Sequence, residues 1–227
     1  MSGTLLKLLA ILSMTIDHIA LFLLYEYPPF NETLITIGQT NITMVWIMRT
    51  IGRMAFPIFC LLLVEGFKYT KNRRKYGINL LVFAIISEII WNLIQSESWT
   101  NIYTQNVFFT LFWGFMGMVA MDKFKYNKLE GICLMLITGV MVIFTRGDYY
   151  LTGWLFIIIL YIARHIKKYQ IVIVGAFLWP NFIAMVLTTV TTFLYNKKRG
   201  WLGNNTSWKY AFYVYYPIHL TIIYLLK

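Results

Sequence analysis

Asp17 and His18 stand side by side and are the only ionisable residues between Leu8 and Leu24. An imidazole can take up and return a proton near neutral pH, and a neighbouring carboxylate can hold its ring in place. Arg49 and Arg53 are spaced i,i+4, so a helix puts both guanidiniums on one face. Two buried cations on one face need carboxylates or an anionic ligand opposite them. Glu88 and His219 sit alone in other apolar runs and complete a set of bases, acids and fixed cations. Such a set marks a functional site, in which a histidine can pass a proton and permanently charged arginines can face an anion where water is scarce. Cys60 and Cys133 lie within apolar segments away from this set, so neither a cysteine nucleophile, a disulfide framework nor a metal site is expected.

These residues must be positioned by elements that live in lipid. Of 227 residues, 59% are hydrophobic and 13% charged. That is about half the charge a soluble domain uses to cover its surface. Apolar segments fall at about 4–25, 44–67, 76–95, 105–122, 129–145, 150–165, 169–195 and 208–226. They do not alternate polar with apolar residues, as membrane strands would. Helices satisfy their own backbone in lipid, which predicts an all-α, polytopic transmembrane helix bundle forming one domain over 1–227. The run after Lys7 lacks a small-residue cleavage site and reads as a retained first span. The expected location is the cell (plasma or inner) membrane.

The net charge of +11 is carried by short clusters between apolar runs, such as Lys71–Lys75 and Lys197–Arg199. This is the loop bias of membrane proteins rather than a nucleic-acid surface, and it places the N-terminus in the cytoplasm. The loops at 26–43 and 96–104 hold no Lys or Arg and belong outside. Both flanks of 169–195 are basic, which one span cannot satisfy. Trp179-Pro180-Asn181 at its centre therefore predicts a hairpin of two short helices, about 169–179 and 181–195, re-entrant or set in thinned bilayer. On that count there are about nine helical segments. With a rise of about 1.5 Å per residue, Asp17, His18, Arg49, Arg53, Glu88 and His219 then fall in one layer, about 8–13 Å below the outer surface. Each costs a few kcal/mol at such depth, so their coincidence points to a site. Structural ion pairs that staple the bundle are the plainer reading of the same residues. Arg73, Arg74 and Lys75 are first a topology signal, and second a phosphate-binding surface for an anionic co-substrate such as coenzyme A.

Met14-Thr15-Ile16-Asp17-His18, then Arg49-Thr50-Ile51-Gly52-Arg53-Met54-Ala55-Phe56-Pro57-Ile58-Phe59, then Ser87-Glu88, Asn106–Leu111, Asp148–Gly153 and Tyr216-Pro217-Ile218-His219-Leu220 follow in an order that resembles the TraX family of conjugative-pilus assembly proteins. The likeness runs over nearly the whole chain. It implies an acetyltransferase that uses acetyl-CoA to cap a pilin N-terminus, similar to membrane acyltransferases with a histidine on an early span and arginines nearby. Carried over, His18 is the general base, with Asp17 or Glu88 orienting it. His219 is the alternative base, and Arg49 and Arg53 bind the donor's anionic groups or the oxyanion. The implied partners are membrane lipid, acyl-CoA and a peptide (pilin-like) or glycan acceptor. A proton-coupled transporter and a non-catalytic assembly scaffold are the competing classes. The transporter lacks support from any internal repeat.

Overall fold

The computed structural model describes residues 1–101, 103–179, 181–201 and 206–227, apart from the side chains of Thr206, Ser207 and Lys209. The architecture is helical: α1 (Gly3–Ile19), α2 (Pro28–Asn31), α3 (Met44–Gly52), α4 (Ala55–Tyr69), α5 (Arg73–Ser96), α6 (Val107–Phe124), α7 (Lys128–Thr145), α8 (Tyr150–Ile162), α9 (Lys167–Phe177), α10 (Phe182–Leu194) and α11 (Thr206–Leu226). Among the described residues, five helical stretches, Gly3–Leu24, Met44–Tyr69, Arg73–Ser96, Val107–Phe124 and Lys128–Thr145, are long and apolar enough to cross a membrane. Shorter apolar helices accompany them.

Several of the helices start where a polar side chain can take over an unpaired backbone N–H. Thr43 accepts from Trp46 N–H at 3.0 Å, Asn72 from Lys75 N–H at 2.8 Å, Asn106 from Phe108 N–H at 3.0 Å, and Asn181 from Ala184 N–H at 3.0 Å. Glu97 and Arg146 end α5 and α7 in the left-handed region, with φ of 54° and 48°. The break expected inside 169–195 is present, with α9 ending at Phe177 and α10 beginning at Phe182. Pro180 itself lies outside the described residues.

Three features depart from the expected segments. The run 44–67 is not one helix but α3 and α4, separated at Arg53–Met54. A continuous helix would drive the Pro57 ring against the Arg53 carbonyl and leave that carbonyl without a donor. As the third residue of α4, Pro57 loses nothing by lacking an N–H. Two residues after His18, the helix widens into a π-helical turn, Ala20–Leu24. Within the 26–43 loop, β1 (Ile35–Ile37) and β2 (Thr40–Ile42) pair antiparallel around Gly38, whose φ of 63° the tight turn requires. These strands are exposed and not membrane strands.

The chain divides into two compact units, residues 1–59 with 171–227, and residues 60–170. In the first, α1 packs on α3 and α11, and α3 packs on α10. The first turn of α1 is held by a neighbouring loop. Gly3 N–H donates to the Lys198 carbonyl at 2.7 Å and Thr4 N–H to that of Arg199 at 3.0 Å.

In the second unit α6 is central and packs against α5, α7 and α8. Gly114 and Gly117 let α8 approach, because a Cβ at Gly114 would overlap Ile157 and one at Gly117 would meet Ile158 and Trp154. Small residues serve this purpose in lipid, where no hydrophobic force drives helices together. On α7, Ile132, Leu136, Val140, Ile143 and Phe144 remain exposed and form an apolar outer face. Gly114→Val is expected to lower stability by about 1–3 kcal/mol, read as an earlier loss of monodisperse protein on heating in detergent. Gly139→Ala, where the nearest atoms are 3.7 Å or more away, should leave it unchanged.

Candidate functional site

In the first unit the two membrane histidines meet. His18 Nδ1 lies 2.7 Å from His219 Nε2, with the ring planes 8° apart, and the residues are only 8% and 4% exposed. The other ring nitrogen of His219, Nδ1, lies 3.0 Å from the Tyr215 carbonyl one turn earlier. Tyr215 stacks on His219 with centroids 5.1 Å apart, and its hydroxyl meets Thr15 Oγ1 at 2.7 Å. Thr15 is one turn before His18, so α1 and α11 are fastened by two polar contacts on successive turns. Phe22, on the π-helical turn, and Tyr216 complete an aromatic wall around His18.

Asp17, on the next position, turns to α3. Its Oδ2 accepts from Arg49 Nη1 at 2.9 Å, and the two side chains are 20% and 27% exposed. Oδ1 is buried and has no hydrogen-bond partner among the described residues. Gly52 makes this approach possible, since a Cβ there would overlap the Asp17 side chain. The block around Arg49 and Arg53 thus carries a third position on which the Asp17–Arg49 contact depends. Its only sequence signal is a glycine one turn after Arg49.

Arg53 is exposed where α3 ends, and among the described residues its side chain makes no hydrogen bond or ion pair. It and Arg49 line a cavity of about 340 Å³ with Asn31, Asn41, Trp46 and Asn181. The cavity lies beside the 26–43 loop, which loop charge assigns to the outside. His18 and His219 do not line it.

The remaining expected residues lie in the second unit and have other occupations. Glu88 Oε2 accepts from the Asn106 side chain at 2.6 Å and from its backbone N–H at 3.1 Å. Asn106 is fully buried, also donates to the Ala84 carbonyl, and caps α6. Glu88 therefore holds the start of a helix. Arg73 donates to Asp122 Oδ2 at 2.6 Å, with its guanidinium 4.1 Å from the Phe67 ring centre. Asp122 also takes Lys125 at 2.6 Å and the Tyr161 hydroxyl. The sequence did not single out Asp122 or Tyr161: Asp122 closes the apolar run 105–122, and Tyr161 is one of 16 tyrosines. Arg74 and Lys75 are exposed in the first turn of α5. Of the three exposed cations expected to form a donor-binding surface, Arg73, Arg74 and Lys75, Arg73 is committed to Asp122.

Comparison with known proteins agrees with the motif order. A protein of Dichelobacter nodosus described as a probable fimbrial assembly protein FimC, serogroup H1, is 24% identical over 239 residues, covering 96% of this chain and 92% of that protein. The protein RP591 of Rickettsia prowazekii (strain Madrid E) is 28% identical over 167 residues, covering 72% of this chain and 56% of its own length. No solved structure matches. The match to the TraX protein family takes in residues 2–227, and the chain belongs to that family.

Proposed function

We propose that this chain is a membrane acyltransferase, in the first instance an acetyltransferase, which takes an acyl group from acyl-CoA on the cytoplasmic side. It delivers that group to an amine or hydroxyl acceptor at a polar site in the outer half of the inner membrane. The observation that supports this reading best is the buried contact between His18 and His219 beside the Asp17–Arg49 ion pair. The printed name of the Dichelobacter relative supports a subunit of a fimbria or pilus as the acceptor's class. A pilin-like N-terminal amine is the first candidate and a glycan hydroxyl the second.

In this reading the thioester donor supplies an activated acyl carbon, and the chain does the rest. An imidazole of the histidine pair takes the acceptor's proton as the new N–C or O–C bond forms. The C–S bond breaks, and the same imidazolium returns the proton to the leaving sulfur, so no outside acid is needed. Arg49, held by Asp17, and the exposed Arg53 offer guanidinium donors for the developing oxyanion or for anionic groups of the donor. Arg74 and Lys75 are the exposed cations available to phosphates at the cytoplasmic end. A second reading, an assembly scaffold without chemistry, is favoured by the same relative's name, which speaks of assembly only.

Acetyl transfer from labelled acetyl-CoA by the purified protein in lipid separates the two. His18→Ala is expected to lower the rate by about 10²- to 10⁴-fold while the protein stays monodisperse. An unimpaired variant would remove His18 from the mechanism. Gly52→Ala should displace Asp17 and cost about 10- to 100-fold in rate through misplacement alone. Gly139→Ala serves as its neutral counterpart. Equal rates for the two glycine variants would show that the Asp17–Arg49 geometry is irrelevant to turnover.

A further inference from the structure

The proton positions in the histidine pair follow from one fixed acceptor. The Tyr215 carbonyl cannot donate, so His219 Nδ1, at 3.0 Å from it, carries a hydrogen. In a neutral ring the second nitrogen, Nε2, is then bare and accepts. Its neighbour at 2.7 Å is His18 Nδ1, which must therefore be the donor. The lone pair of His18 is left on Nε2. The order is carbonyl of Tyr215, N–H of His219, bare nitrogen of His219, N–H of His18, bare nitrogen of His18.

The rest of the packing keeps this order in place. The Thr15 hydroxyl donates to the Ile11 carbonyl at 2.9 Å, so toward Tyr215 it accepts the phenolic hydrogen. Tyr215 is thereby pinned to α1, and its ring lies nearly parallel to His219, 11° off. His219 cannot swing away from His18 without breaking the Tyr215 contact.

We infer that His219 is a positioning residue that fixes His18 as its Nδ1–H tautomer and so makes His18 Nε2 the atom that accepts the acceptor's proton. The inference rests on the acyltransfer reading proposed above and assigns the two histidines different duties. The acceptor's proton moves to His18 Nε2. His18, now an imidazolium, keeps its Nδ1–H on the neutral Nε2 of His219, which disperses the charge without taking the proton. The proton on Nε2 then passes to the leaving sulfur, restoring both rings. For His219 to act as the base it would have to give up the hydrogen bond that its Nε2 accepts from His18 Nδ1, since its Nδ1 already carries the hydrogen held by the Tyr215 carbonyl. The tautomer of a working histidine is generally set by the bond its other nitrogen makes.

The chain contains only three histidines, His18, His165 and His219, so the tautomers can be read directly. Protein labelled with ¹⁵N at histidine, reconstituted in lipid, is expected to show a protonated Nδ1 and a bare Nε2 for both His18 and His219. A His165→Gln background simplifies the assignment. His219→Gln, whose amide oxygen can accept from His18 Nδ1–H, should keep the His18 tautomer and stay within a few-fold of full acetyl transfer. His219→Leu removes the acceptor and is expected to move the hydrogen of His18 to Nε2 and to lower transfer by at least about 10²-fold. A hydrogen on His18 Nε2 in the unsubstituted protein overturns the inference, as does a His219→Leu variant with full activity. If the Leu variant fails to fold, the spectra of the unsubstituted protein and of His219→Gln decide the matter. Correct tautomers in a protein that transfers no acyl group would refute the proposed function and leave the assignment of hydrogens standing.

Discussion

A polar side chain on a helix surrounded by lipid has to find a partner within the protein, because no water is present to take that role, and an ionised one seldom finds it on its own helix. The deepest features of this chain follow from that constraint. Asp17 is answered by Arg49 across α1 and α3, His18 by His219 across α1 and α11, and Glu88 by Asn106 at the joint of α5 and α6. None of these is a neighbour within a helix. The His18–His219 contact spans 201 positions of sequence, so it can form only once the last helix has docked on the first. The Asp17–Arg49 pair leaves Asp17 Oδ1 without a hydrogen-bond partner among the described residues.

Hydropathy located the helices well because it reports the portion of each helix that lipid covers. Where the structure extends further, a cap explains it. Apolar character begins near residue 76, but Asn72 starts α5 at Arg73 and carries three cations into its first turn. The interruption at Arg53–Met54 had a visible cause in Pro57, four residues after Arg53, yet an unbroken apolar run from Met54 to Val64 concealed it. The π-helical turn after His18 has no counterpart in composition. It is a choice of hydrogen-bond register that residue types alone do not encode.

The candidate site was legible as a set of residues and illegible as a set of pairs. Depth along a span follows from a count of residues, so Asp17, His18, Arg49, Arg53 and His219 could be assigned a common layer. Which carboxylate meets which cation depends on how each helix is turned about its axis, and a one-residue rotation of about 100° changes the answer. Asp17 or Glu88 was expected to orient His18. Asp17 is engaged by Arg49, Glu88 is engaged by Asn106, and the ring beside His18 is that of His219. Gly52 shows the same limit from the other side: its importance lies in the side chain it makes room for, and that side chain is 35 positions away.

Pairing two histidines rather than a histidine and a carboxylate has a consequence for chemistry in lipid. A carboxylate beside His18 would add a fixed negative charge that must be balanced before and after each proton transfer, at a cost that grows as water is excluded. A neutral imidazole can accept the same hydrogen bond without that charge. The negative charge of Asp17 is instead matched by Arg49 one helix away, where it sets the place of a guanidinium. The ion pair and the histidine pair are thereby kept on separate partners, although Asp17 and His18 are adjacent in sequence. A helix makes this separation cheap: successive residues point about 100° apart, so one turns to α3 and the other to α11.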